Sequence, residues 1–209
     1  YEISLGLVGS EMCIRDRSIE ENGLDAVTVR CFDLLEEGVT ACLALALLNS
    51  EGVVAGCEGD LRALFSMALL SYVSGRPAWM ANPISVEGRR IRLAHCTFPL
   101  SEAVEFGLTT HYESGLSVGI AATPPEGSPV TMLRVSGDLR EAVLISGRSL
   151  GSPDIQEACR TRLEVEVEGD PREILRRPLG NHLALVFEDC SEDAEDVLEF
   201  LGVERILRI

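Results

Sequence analysis

The sequence predicts a parallel α/β unit, then an antiparallel β-barrel, then a short strand–helix–strand return. Three observations carry this reading. Short apolar runs alternate with helix-period stretches as far as Pro83. Beyond Pro83, glycine and proline rise and β-branched alternation replaces helical spacing. From Leu183 onward the helical period returns once, between two apolar runs.

Residues 26–32 read as the first strand, closed by Asp33. Residues 36–48 follow as a helix rich in alanine and leucine, with its exit at 49–52. It is apolar nearly all round, which predicts burial. The stretch 53–83 organises the rest of the chain. Val53 to Cys57 is a short apolar run of buried-strand character. Asp60 sits where a helix N-cap belongs. Leu61, Leu64, Phe65, Ala68, Leu69 and Tyr72 then recur at helical spacing until Gly75 and Pro77 stop them. Residues 78–81 read as the next strand, broken by Pro83. Right-handed crossovers make such strands parallel. Asp33, Glu58 and Asn82 then fall at carboxyl ends on one sheet edge, where open α/β sheets place their ligands.

Candidate barrel strands are 90–96, 104–111, 115–121, 130–136, 141–149 and 162–168. Turn signals separate them at Glu113-Ser114-Gly115, Pro124-Pro125-Glu126-Gly127 and Ser136-Gly137-Asp138. The return consists of a strand at 183–187, a helix from Ser191 to Leu201 with acids in its first turns, a stop at Gly202, and a strand at 203–209. The expected division is 18–88 for the α/β part, 89–178 for the barrel and 179–209 for the return. Residues 1–17 do not share this patterning. Their end, SEMCIRDR, resembles the conceptual translation of a transposase sequencing adapter, so they are set aside from fold reasoning. The natural chain is then expected to carry an upstream part, which also explains why only three parallel strands are counted.

Composition narrows the chemistry. Of 209 residues, 18 are basic, and all of these are arginine. Without lysine there is no Schiff-base amine, no pyridoxal phosphate anchor and no phosphate-loop lysine. A net charge of −16 argues against nucleic acid and anionic membranes as partners. No apolar run approaches a membrane span. Cysteines stand at 13, 31, 42, 57, 96, 159 and 190 with no CxxC pair, which disfavours zinc ribbons. They read as small hydrophobes in a reducing cytoplasm.

The chain has only three histidines, His95, His111 and His182. Glu58, Asn82, His95 and His182 together form a plausible mixed oxygen and nitrogen site for Mn²⁺ or another divalent ion. Each has a plainer alternative: Glu58 as a helix-start acid, the histidines as hydrogen-bonded structural residues. His111 and Glu113 flank a hairpin tip that either lends them to a sugar pocket or is a polar turn in water. Arg30 and Asp33 read as a snorkelling arginine and a capping acid, and Trp79 as core.

The segments CEGDLRALFSMALLSYVSGRPAWMANP, RIRLAHCT, TTHYESG and GNHLALVFED, in this order, resemble the C-terminal half of the L-fucose/L-arabinose isomerase family. The resemblance covers about residues 25–209. It implies Rossmann-like α/β domains followed by a β-barrel, and aldose–ketose interconversion through an enediol(ate) with Mn²⁺ holding two sugar oxygens. It implies Glu58 as ligand and base, His182 as the C-terminal metal histidine, and His95 near a further histidine that the arabinose enzymes use. Where the fucose and arabinose enzymes carry a second acid, this chain has Asn82. Asparagine can offer a carbonyl oxygen to a metal but cannot shuttle a proton. Asp60 and Glu113 are then the nearest candidates for a second acid–base group. The family also implies a homo-oligomer with a small sugar, a pentose or deoxyhexose, as substrate. A non-catalytic sugar- or metal-binding relative is the alternative.

Overall fold

The computed structural model describes residue 19 and residues 21–209; the adapter-like segment 1–17 lies outside them. The first strands, β1 (Ala26–Thr28) and β2 (Val54–Gly56), pair in parallel. Between them run α1 (Cys31–Leu35) and α2 (Cys42–Ser50). The helix expected at 36–48 therefore begins later, because a turn at 36–38 interrupts it. The Asn49 side chain donates to the carbonyl of Ala55 (2.7 Å) and accepts from its N–H (2.9 Å). A side-chain amide thus satisfies both main-chain groups of a β2 residue.

Helix α3 (Leu61–Ser74) has the start and stop the sequence predicts. The Asp60 carboxylate accepts from the N–H groups of Arg62 (3.1 Å) and Ala63 (3.0 Å), and Gly75 ends the helix.

The next element departs from expectation. β3 (Trp79–Glu87) runs straight through Pro83. It is antiparallel to its neighbours, so it is not a third parallel strand. Its pairing shifts register between Pro83 and Ser85, an irregularity that accommodates a residue lacking an N–H. Among the described residues the parallel sheet therefore has two strands.

The remaining strands are β4 (Arg90–His95), β5 (Glu105–Thr109), β6 (Gly119–Thr123), β7 (Glu126–Val135), β8 (Glu141–Leu150) and β9 (Thr161–Val167). After a short turn, α4 (Glu173–Arg176), come β10 (Leu183–Val186), α5 (Ser191–Phe200) and β11 (Arg205–Arg208). Six strands close an antiparallel barrel in the order β8-β7-β10-β3-β4-β9, because β9 pairs again with β8. β11 adds to β8 in parallel. The runs 104–111 and 115–121, expected as barrel strands, lie outside the barrel: β5 and β6 pair only with each other as a separate ribbon. β10 is a stave of the barrel, inserted between β7 and β3.

Alternation along the staves explains the two cores. Trp79, Ile91, Leu93, Met132, Ile145, Leu163, Leu183 and Leu185 pack in one cluster. Met80, Leu133, Val135, Leu144, Ala184 and Val186 face the other way, against α2, α3 and α5. Both faces of β3, β7, β8 and β10 are covered, so these strands read as near-continuous apolar runs. Trp79 and Phe98 meet edge to face at 5.1 Å, which confirms the tryptophan as core. The functional residues gather at the seam where the parallel unit meets the barrel wall.

Candidate active site

Four segments converge at this seam: the loop after β2, the N-terminus of α3, the end of β4 and the residue before β10. Glu58 follows β2 and adopts φ +60°, a left-handed conformation that non-glycine residues rarely take. Such strain costs about 1–3 kcal/mol and persists where the surroundings over-determine it. It holds a carboxylate, 31% exposed, against two buried histidines.

Glu58 Oε1 lies 3.5 Å from His95 Nε2, and Oε2 lies 3.3 Å from His182 Nε2. The two imidazole rings stand edge to face at 5.4 Å. His182 Nδ1 is 2.9 Å from Asp60 Oδ2, and His95 Nδ1 is 3.1 Å from Thr97 Oγ1. Each ring therefore has one nitrogen oriented from behind and one turned toward Glu58. Glu58, His95 and His182 each offer one ligand atom within 4.8 Å of the others. His182 Nε2 is buried and, although close to the carboxylate, makes no aligned hydrogen bond. An orphaned buried nitrogen beside a carboxylate and a second imidazole suits a divalent transition-metal cation. Two imidazoles and one carboxylate are a set that Mn²⁺, among several such ions, accepts.

Asp60 is fully engaged. Oδ1 caps α3, while Oδ2 takes both His182 and Arg134 Nη1 at 2.7 Å. Arg134, on β7, is 2% exposed and also reaches the carbonyl of His182 at 3.3 Å. Its guanidinium lies on Gly180, where an added Cβ would fall 2.1 Å from Nη2. This close approach explains the glycine in Gly180-Asn181-His182. With all its lone pairs occupied, Asp60 fits a positioning role better than proton transfer.

Electrostatics follow from these contacts. The close approach of the His182 and His95 rings holds the Glu58 carboxyl well below the usual carboxylate range, against the opposing effect of burial. Burial pushes Asp60 up, but His182, Arg134 and the Ala63 N–H outweigh it and hold Asp60 low. Burial also opposes a charge on His182, yet Asp60 and Glu58 raise its pKa to about 9. His95 moves the other way, lowered first by burial and further by His182.

A cavity of about 350 Å³ opens beside Glu58, lined among others by Asn82, His95, His111 and Glu113. A second, about 600 Å³, lies on its other side, lined by Asp60, Arg62, Asn181 and His182. Asn82 borders the first cavity together with Glu58 and His95. His111 is buried and bonded to Ser114 Oγ at 3.0 Å, while Glu113 is exposed at the rim. Arg30 and Asp33 pair with each other on the surface.

Two features escaped the sequence reading. Arg134 sits in the apolar run Met132-Leu133-Arg134-Val135, and a charge inside such a run signals a buried partner. The cysteines also cluster: Cys31 and Cys57 sulfurs are 2.9 Å apart, Cys42 and Cys96 sulfurs 3.2 Å. Cys159 lines the first cavity, and burial pushes its thiol up to about 12.

No family model matches the chain. It is similar to the sulfoquinovose isomerase of Clostridium sp. (strain MSTE9), with 22% identity over 205 residues. It is also similar to the sulfoquinovose isomerases of Priestia aryabhattai and Priestia megaterium, with 24% identity over 204 residues in each case. Each match takes in 90% of this chain and 45% of the relative, so the chain spans about half the length of the curated relatives it matches. Among the described residues no helix is long and apolar enough to cross a membrane.

Proposed function

We propose that this chain carries the proton-transfer and cation-binding part of an aldose–ketose isomerase. The observation behind this is the meeting of Glu58, His95 and His182, with one buried imidazole nitrogen left for a ligand. The sulfoquinovose isomerase relatives support the same reaction class.

Glu58, His95 and His182 would hold a divalent cation, Mn²⁺ by the family resemblance, and that cation would polarise neighbouring carbonyl and hydroxyl oxygens of an open-chain sugar. Glu58 is ionised through the neutral range, the form a base requires. It removes a proton at one sugar carbon and returns it at the adjacent carbon, through an enediol(ate). Asp60 fixes the His182 tautomer by accepting from Nδ1–H, and Arg134 anchors Asp60. Asn82 and Glu113 line the cavity next to Glu58 and are assigned to the sugar hydroxyls. Arg62 lines the larger cavity and supplies a cation for an anionic substituent. Sulfoquinovose is therefore the first substrate to test, followed by pentoses and deoxyhexoses.

The decisive experiment is ketose formation with Mn²⁺ present, wild type against Glu58→Gln and Asn82→Asp. Glu58→Gln is expected to lower kcat by about 10²–10⁴-fold while the circular dichroism spectrum stays native. Unchanged turnover in that variant would overturn the base assignment. No turnover on any aldose in the wild type, with a gain in Asn82→Asp, would show a scaffold altered away from isomerisation.

A further inference from the structure

We propose a second metal centre: Cys42, Cys96 and His111 bind Zn²⁺ beside the Glu58–His95–His182 cluster. The proposal stands on geometry alone and does not depend on the isomerase reading.

Cys42 is the first residue of α2, Cys96 follows β4, and His111 follows β5. All three are buried, and their ligand atoms lie within 4.8 Å of one another. Cys57 Sγ pairs instead with Cys31 Sγ at 2.9 Å. Cysteines that merely fill a core have no reason to share one point with a buried imidazole. The set offers two sulfurs and one nitrogen, a donor combination that zinc takes together with a fourth, non-protein ligand. It also differs in softness from the carboxylate and imidazoles next door, so the two centres would sort their ions by ligand type.

Ser114 orients the His111 ring, with its Oγ 3.0 Å and its main-chain N 3.4 Å from Nδ1. Without an ion, Cys96 and burial keep the Cys42 thiol protonated, and a bound cation would draw off that proton. Zinc–sulfur bonds of about 2.3 Å place two thiolates of a tetrahedral site about 3.8 Å apart. The Cys42–Cys96 pair, at 3.2 Å, needs only a small opening to admit the ion. The centre would tie α2, the end of β4 and the loop after β5 together. Cys96 adjoins His95 along the chain. A bound ion would therefore brace His95 of the candidate active site.

The test uses the full chain, stripped with a chelator under argon and titrated with Co²⁺ as a spectroscopic stand-in for zinc. A thiolate-to-cobalt charge-transfer band in the near ultraviolet, with tetrahedral d–d bands in the visible, is the expected result. The band should persist in Glu58→Gln and in Cys190→Ser, whose cysteine lies elsewhere, and vanish in Cys42→Ser and Cys96→Ser. Zinc-edge X-ray absorption on the wild type, loaded with one equivalent of Zn²⁺, gives an answer independent of whether those variants fold. Sulfur in the first coordination shell supports the centre. Only nitrogen and oxygen scatterers, or a band unchanged in the Cys42→Ser/Cys96→Ser double variant, would overturn it.

Discussion

His182 is held by two carboxylates, and its proton is the residue-scale consequence most open to measurement. Its pKa, raised to about 9, means that the folded chain binds this proton more tightly than the unfolded chain does. The resulting stability is full below the ordinary histidine pKa of about 6.5 and is lost as pH rises toward 9. In chelator-treated protein the loss between about pH 6.5 and 8 is expected to be about 1–2 kcal/mol, a few degrees in Tm. Staying below pH 8 limits the part played by the buried thiols, whose ordinary pKa is about 8.5. His95 moves oppositely: its lowered pKa destabilises the fold as pH drops below the ordinary histidine value. Scanning Tm against pH, wild type beside His182→Gln, checks this. A slope that survives in the variant would assign the effect to other groups.

At the scale of elements, α3 is both a structural member and the mount for the site. Its N-cap, Asp60, ties the helix start to β7 through Arg134 and to the residue before β10 through His182. Asp60→Ala should cost about 3–5 kcal/mol, since it removes the cap and strands a buried arginine. Asp60→Asn keeps an oxygen for the backbone N–H groups and should cost distinctly less, while still releasing the His182 pKa downward. Urea denaturation with histidine titration by NMR distinguishes the two variants. Equal destabilisation would mean that capping, not the charge pair, dominates. The cap was legible in the sequence because capping is local: a carboxylate reaches N–H groups two and three residues on. The partner 74 residues away was not, because no spacing rule links Asp60 to Arg134.

For the whole molecule, barrel closure depends on β8 serving two neighbours. Gly147 pairs with Val130 on β7 and with Val167 on β9, and an added Cβ would lie 2.4 Å from the Glu166 carbonyl oxygen. That contact is backbone, so it cannot relax as a flexible side chain would. Gly147→Ala is expected to cost about 1–3 kcal/mol and to loosen the β8–β9 edge first. Hydrogen exchange should show faster exchange at 161–167 than in β7, whereas uniform exchange would mean that the barrel opens as one unit. Short β-branched runs between turn signals told of an antiparallel barrel in advance. The closing pair did not show, since β8 and β9 are joined by the long loop 151–160, which fixes no hairpin register.

From its residues alone, the chain determined the α3 boundaries, most of the barrel strands, and the types of residue available for catalysis. These depend on local capping chemistry and on side-chain period, which are properties of neighbours along the sequence. Only the tertiary structure decided that β3 leaves the parallel sheet for the barrel, and that β10 is a stave. Strand partners are chosen by long-range pairing, and a single apolar run fits a parallel or an antiparallel neighbour equally well. The same holds at the site. Glu58, His95 and His182 were readable as candidates, but their meeting within 4.8 Å, the Arg134 anchor and the thiol cluster exist only once distant segments pack together.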